Sequence, residues 1–211
     1  MVRFEEAGVS LGGRPVLRDL DLVVDPGEVV GITGPNGSGK TTVIRAAATL
    51  ATPDRGSIVV LGTDTRATDL LVTRRSIGMI GHNPGLIPEL TLEENLVHVA
   101  RLADIEPTRV PRALDVVGLS EAASRRAENS SFGMRRRIEI ARLLLTRPQL
   151  LLLDEAASGL DEAARQLIDA LVDSVRKRGG GCIVVSHDQA QLAGLCSRVS
   201  TLVEGRLEPA K

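Results

Sequence analysis

An α/β fold is predicted for this chain: strands and helices alternating around a parallel sheet, interrupted at about residues 85 to 148 by an all-helical insert. Three observations carry that expectation. Strand and helix patterns alternate on both sides of the insert. Leu150-Leu151-Leu152-Leu153 is a continuous apolar run too short for a helix, as a strand covered on both faces requires. Between about Gly85 and Pro148 only helical patterns and their caps occur.

Taken in order, Val16 to Val24 and Glu28 to Thr33 read as strands, divided by the turn signal Asp25-Pro26-Gly27. Lys40 to Leu50 is an Ala-rich helix stopped by Thr52-Pro53-Asp54. Ser57 to Leu61 and Ile77 to Ile80 are short strands on either side of a polar segment. Thr91 to Ala103 is a helix that Thr91 can cap, with Glu94 completing a capping box. Two further helices cover about Arg109 to Val117, preceded by Pro107, and Gly133 to Thr146. After the Leu150 strand come a helix from Asp161 to Arg178, a strand from Cys182 to Ser186 and a short helix from Gln189 to Leu195. Ser200 to Val203 and Arg206 to Glu208 flank Gly205 as a closing hairpin.

Composition excludes several classes of function. The 26 basic and 27 acidic residues leave a net charge of −1, without the basic excess that a nucleic-acid binder uses to displace counterions. Phe4 and Phe132 are the two aromatics, so base-stacking platforms are lacking and no nucleic-acid partner is expected. With 43% hydrophobic and 25% charged residues, the 211-residue chain has the makings of a globular core, built from Leu, Ile, Val and Ala. No apolar run is long enough to span a membrane. Glu5 and Glu6 stand where a secretion signal would need apolar residues, so no export signal is expected. Cys182 and Cys196 lack metal-ligand spacing and read as reduced thiols.

The strongest chemical signal is Gly34-Pro35-Asn36-Gly37-Ser38-Gly39-Lys40-Thr41-Thr42, which fits G-x-x-x-x-G-K-[ST] between an apolar strand and a helix. Its glycines let successive N–H groups turn inward onto phosphate oxygens, and the helix adds the partial positive charge of its N-terminus. Lys40 can reach the β- and γ-phosphates, and the Thr41 hydroxyl can ligate Mg²⁺. A chance Gly-rich turn is a poor alternative. The chain uses 23 Arg to three Lys, yet places a Lys here, where a compact ammonium fits between phosphates better than a planar guanidinium. The second half of the site is Leu150-Leu151-Leu152-Leu153-Asp154-Glu155. A buried parallel strand delivers two carboxylates at its carboxyl end, where α/β sheets bind ligands. Asp154 is assigned to Mg²⁺ through its water shell and Glu155 to polarising an attacking water. His187, at the end of the Cys182 strand, is assigned to sensing the γ-phosphate.

Two further stretches are Ser130-Ser131-Phe132-Gly133-Met134-Arg135-Arg136-Arg137 and Ser158-Gly159-Leu160-Asp161. Read alone, Ser131 is a helix N-cap and Arg135 to Arg137 are a solvated face. In order with the phosphate loop and paired acids, however, they resemble the signature and D-loop of the nucleotide-binding subunit of ATP-binding-cassette (ABC) transporters. The resemblance covers essentially the whole chain. It implies one cassette over residues 1–211: a P-loop NTPase core with a parallel sheet, an N-terminal antiparallel β subdomain and the inserted α-helical subdomain. It implies an ATP hydrolase using ATP and Mg²⁺. Ser131 and Gly133 match the signature serine and second glycine, which in that family contact the γ-phosphate. A site is then completed only across a head-to-tail homodimer of cassettes. Separate transmembrane permease subunits are the implied partners, contacted around Pro84 to Leu90 from the cytoplasmic face of the cell membrane, where the chain is peripheral.

Departures from the family pattern refine these expectations. The position of the adenine-stacking aromatic falls on Leu11, and Ala156 replaces the proline usual after the catalytic glutamate. The glutamine that touches Mg²⁺ and the attacking water is His82 here. Gly81-His82-Asn83-Pro84-Gly85-Leu86 and Leu90-Thr91-Leu92-Glu93-Glu94-Asn95-Leu96 are similar to the haem-exporter ATPases of cytochrome c biogenesis (CcmA type), which makes haem-linked export the expected role. Ser-x-Gly-Met-Arg-Arg-Arg also occurs in ATPases of drug, peptide and polysaccharide exporters, so it does not decide the substrate, and a drug, peptide or lipid exporter is the alternative. A soluble, non-transport cassette and a P-loop kinase are weaker readings; kinases lack the signature and D-loop.

Overall fold

The computed structural model describes residues 1–209. The chain runs through β1 (Val2–Leu11), β2 (Arg14–Val24), β3 (Val29–Thr33), α1 (Lys40–Ala47), β4 (Arg55–Val60), β5 (Thr63–Asp64), α2 (Leu71–Arg75) and β6 (Ile77–Ile80). Helices α3 (Leu92–Leu102), α4 (Val110–Val116) and α5 (Phe132–Thr146) follow. The remainder is β7 (Leu150–Asp154), α6 (Glu162–Lys177), β8 (Gly181–Val185), α7 (Gln189–Leu195), β9 (Arg198–Val203) and β10 (Arg206–Pro209). These elements form two compact units: residues 1–79, 148–156 and 172 onward, and residues 80–147 with 157–171.

The first unit carries two sheets. One is antiparallel, in the order β2-β1-β4-β5. The other has the order β10-β9-β3-β8-β7-β6, with β9, β3, β8 and β7 parallel and β10 closing antiparallel on β9. Strands β7 and β8 are buried at every position, which is why their sequences run apolar without alternation. Helix α1 packs on β7 and β8. Its inward residues Val43, Ala46 and Ala47 are fully buried, and the two alanines bring the helix backbone close to the sheet.

Strand β1 was not expected from the sequence pattern. Its inward residues are Val2 and Phe4, then Ala7 and Val9, so the two-residue period slips by one between Phe4 and Ala7. A bulge takes up the extra residue: the registers with β2 and β4 both shift there, and Glu6 has a φ of 45°. Helix α1 ends at Ala47 rather than Leu50, with Thr49 at a φ of 60°. The polar segment before β6 holds β5 and α2, both too short to leave a periodic signal.

The helical unit is organised from its caps inward. Thr91 Oγ1 accepts the Glu94 N–H at 3.1 Å, and the Glu94 carboxylate accepts the Thr91 N–H at 2.8 Å, forming the expected capping box on α3. Asn95, buried one turn later, accepts the Ile87 N–H through Oδ1 and donates through Nδ2 to the carbonyls of Ile87, Leu90 and Thr91. It thus holds the loop entering the helix. Replacing Thr91 with Ala is expected to lower the unit's stability by about 1 kcal/mol, read by urea denaturation. Accepting the Thr91 N–H holds the Glu94 carboxyl below its ordinary pKa. Its share of the cap is therefore present at neutral pH and lost as pH falls through that depressed value.

Ser131 caps α5, accepting the Met134 N–H at 3.2 Å, as expected. The reading of Arg135 to Arg137 as a solvated face is corrected: Arg136 is 1% exposed, because its helical position turns it onto the inner side with Ile140. Among the described residues no helix is long and apolar enough to cross a membrane. Cys182 and Cys196 are free thiols, and burial pushes both up to about 12.

Candidate functional site

Three parallel strands bring the phosphate loop, the paired acids and His187 to one edge of the sheet. Ile32 of β3 is in register with Val185 of β8, and Val185 with Asp154 of β7. The chain therefore leaves all three strands at the same level, with adjacent strands about 5 Å apart. Beyond that line lie Gly34 after β3, Glu155 after β7 and His187 after β8.

The loop from Gly34 to Gly39 has the curl that its glycines predicted. Gly34 and Gly39 have φ values of 147° and 107°, and both are enclosed. A Cβ on Gly34 would lie 2.2 Å from the Leu202 carbonyl oxygen, and one on Gly39 would lie 2.9 Å from the Leu17 side chain. The Gly205 N–H donates to the Ser38 carbonyl at 3.1 Å, so the β9–β10 turn braces the loop. Lys40 is buried, and its Nζ donates to the carbonyls of Gly34 (2.8 Å) and Pro35 (2.9 Å). The ammonium thus pulls the loop around itself. No side chain caps α1, whose first N–H groups can face an anion. The Ser38 hydroxyl is buried with no hydrogen-bond partner. Thr41, in the first turn of α1, is exposed and Thr42 is buried.

Asp154 ends β7 almost fully buried, and among the described residues no ion pair or side-chain hydrogen bond reaches its carboxylate. An unpaired buried carboxylate is costly unless a cation faces it. With the Thr41 hydroxyl, it is a donor set of hard oxygens suited to Mg²⁺, which keeps most of its own waters. Glu155 adopts a φ of 52°, uncommon for a residue with a side chain, while its N–H donates to the Val185 carbonyl at 2.9 Å. One carboxylate oxygen, Oε1, is buried with no hydrogen-bond donor on it, although His187 Nε2 approaches to 3.1 Å off the bonding direction. His187 is itself 54% exposed, beyond the strand end. A carboxylate with an uncommitted lone pair, held by strained backbone two strands from the glycine loop, can take a proton from water.

Leu11 lies at the β1–β2 hairpin, 40% exposed and paired with Arg14. His82, Ser131 and Gly133 belong to the helical unit. His82 is exposed in the loop after β6, and its carbonyl accepts from Arg136. A Cβ on Gly133 would meet nothing within the chain, so no internal contact calls for a glycine there. Arg137 Nη2 donates to both carboxylate oxygens of Asp161 (3.0 and 2.8 Å), joining α5 to the stretch Ser158 to Asp161. The Ala164 N–H, then Arg137, hold the Asp161 carboxyl below its ordinary pKa. Sequence reasoning missed Arg136 and Glu139, whose signal is the i,i+3 spacing of opposite charges on the buried side of α5.

Comparison with known proteins agrees with this geometry. The chain is 35% identical over 209 residues to the Nod factor export ATP-binding protein I of Rhizobium etli, covering 97% of this chain and 66% of that protein. It is 38% identical over 219 residues to the phosphate import ATP-binding protein PstB 2 of Natronomonas pharaonis, covering 95% and 77%. The chain thus spans about two thirds of the length of the first of these relatives. Its fold matches a dimeric structure of the ATP-binding cassette MJ0796 in a post-hydrolysis state bound to ADP and Pi. The TM-score is 0.90 and the identity 27%, covering 100% of this chain and 98% of that one. The model of the ABC transporter family matches residues 17–158, and the chain belongs to that family, as one of its ATP-hydrolysing cassettes.

Proposed function

We propose that this chain is the motor subunit of an ABC exporter, two copies pairing head to tail around ATP beneath separate membrane-spanning subunits at the cytoplasmic face of the membrane. The observation that carries the motor role is the uncommitted Oε1 of Glu155, set at the strand end two strands from the phosphate loop. In this reading the loop N–H groups and Lys40 hold the phosphates, and Glu155 takes the proton of the attacking water. Thr41 and Asp154 hold Mg²⁺, with His82 touching its shell. The bound Mg²⁺ neutralises charge developing on the phosphates. His187, exposed next to Glu155, is free to turn toward the γ-phosphate.

Pairing is supported by Ser131 and Gly133. Both stand at the start of α5 with no internal role for the glycine, and the related cassette is described as a dimer. ATP then bridges the loop of one copy and the signature of the other; binding closes the pair by differential affinity, and hydrolysis releases it. Leu11 offers an aliphatic contact in place of a stacked ring. Discrimination of ATP from GTP is therefore expected to stay below about twentyfold, checked by competition binding of the two nucleotides.

The narrower reading, export linked to haem and cytochrome c maturation, is supported by Gly81-His82-Asn83-Pro84-Gly85-Leu86. A drug, peptide or lipid cargo is the alternative; Ser131 to Arg137 does not decide between them, and one relative is a Nod factor export protein. The test is a mild-detergent pull-down of tagged Glu155→Gln chain with ATP, recording the visible spectrum. The chain has no Trp or Tyr, so a chromophore must come with a partner. Membrane proteins with a haem Soret band support haem-linked export, and membrane proteins without haem in repeated preparations support another cargo. Ribosomes or DNA without membrane protein overturn the transporter role.

A further inference from the structure

A buried charge pair in the helical unit takes no part in the site described above. Arg136, one turn into α5, is the largest fully buried side chain, and Glu139 is 2% exposed. Arg136 Nη1 lies 2.7 Å from Glu139 Oε2. Their other hydrogen bonds converge on one short segment. Nη1 also donates to the Gly81 carbonyl at 2.8 Å, and Nη2 donates to the His82 carbonyl at 3.1 Å. Glu139 Oε1 accepts the Gly85 N–H at 3.1 Å. Over the guanidinium lies the Phe132 ring, its centroid 5.2 Å away, at the signature position where the family pattern has a glycine.

Desolvation offsets the attraction of a buried ion pair, so this arrangement is a weak source of stability. Its distinguishing property is geometric. A planar guanidinium can take two successive carbonyls and a carboxylate together, which a single ammonium cannot do in the same geometry. The bonds fall on both sides of the His82 side chain and leave that side chain exposed. At the other end of the same helical turn stands Ser131.

We propose that Arg136 and Glu139 are positioning residues that clamp the Gly81–Gly85 segment to the signature helix, so that His82 and Ser131 move as one piece through the ATP cycle. The inference rests on the roles given above to His82 and Ser131. It also accounts for Phe132, whose ring covers the guanidinium face as a glycine could not.

The test is the double variant Arg136→Met/Glu139→Met in the full chain, which removes both charges of the pair, with Arg142→Met run as a control because its guanidinium also faces Glu139. Hydrogen exchange of residues 81–86 is expected to quicken by about tenfold or more, with α3 and the rest of α5 unchanged. The kcat for ATP is expected to fall by about tenfold, while KM and nucleotide affinity stay within about twofold. Arg136→Lys gives the same reading in a background that keeps both charges; its exchange should quicken at residues 81–86 by a smaller factor. Unchanged exchange there, or quickening spread over the whole helical unit, overturns the clamp. Loosened exchange with unchanged kcat overturns its catalytic coupling. Glu155→Gln is run alongside. If that variant keeps its turnover, the catalytic reading of the site fails, while the exchange data still judge the clamp.

Discussion

Replacing Glu155 with Gln is expected to stop ATP turnover while leaving ATP binding intact. The amide matches the carboxylate in size and can keep the same backbone conformation, in which the residue-155 N–H meets the Val185 carbonyl. What it loses is basicity at the buried Oε1, where no donor competes for the lone pair. General-base contributions are typically about 10²–10⁴-fold, and phosphate release should fall by that much. With hydrolysis blocked, the ATP-bound pair should accumulate and appear by light scattering as doubled mass. A variant that turns over at near wild-type rate would place the base elsewhere. His187→Ala gives the complementary result. Its imidazole is half exposed and touches the site only from beyond the strand, so binding should survive and hydrolysis should fall. Loss of binding instead would make His187 a structural residue.

Lys40→Ala is expected to abolish useful nucleotide affinity. Lys40 Nζ is buried against the carbonyls of Gly34 and Pro35, the first two residues of the loop. Removing it deprives the phosphates of a charge-assisted donor and leaves the loop's own carbonyls without their partner. A charged hydrogen bond of about 1.5–3 kcal/mol, together with a slackened loop, corresponds to about a hundredfold or more in Kd. Titration with a fluorescent ATP analogue measures the loss against an unchanged far-ultraviolet spectrum. Arg at this position should not rescue binding, since a planar fork does not fit between two carbonyls that converge on one atom. Binding within about threefold of wild type would mean that backbone N–H groups alone hold the phosphates.

The phosphate loop and paired acids were legible in the sequence because their chemistry forces residue types at fixed spacing. Curling a loop onto phosphates needs glycines where φ is positive, and Gly34, Gly37 and Gly39 all have it. The strand bearing Asp154 and Glu155 declared itself by having no polar face. Strand β1 stayed hidden because a single bulged residue inverts the phase of an alternating pattern, and that inversion resembles no pattern at all. Arg136 was misread for a related reason. A run of three arginines looks solvated when taken as a block, although a helix turns each by 100° and sends the middle one inward. The positive φ of Glu155 left no trace either, since strain of this kind is imposed by neighbours and not by the residue's own propensity.

The brace between Gly205 and Ser38 sets an order of events during synthesis. The glycine loop is made first, and the wall that holds it, from Leu202 to Gly205, only after the helical unit and strands β7 and β8 have emerged. Until then Gly39 has Val16 and Leu17 beside it, but Gly34 and Ser38 lack the wall against which they are held. A nascent chain that stops short of Gly205 therefore lacks the brace that holds the loop in its curl, and tight nucleotide binding is expected only once that turn has been made.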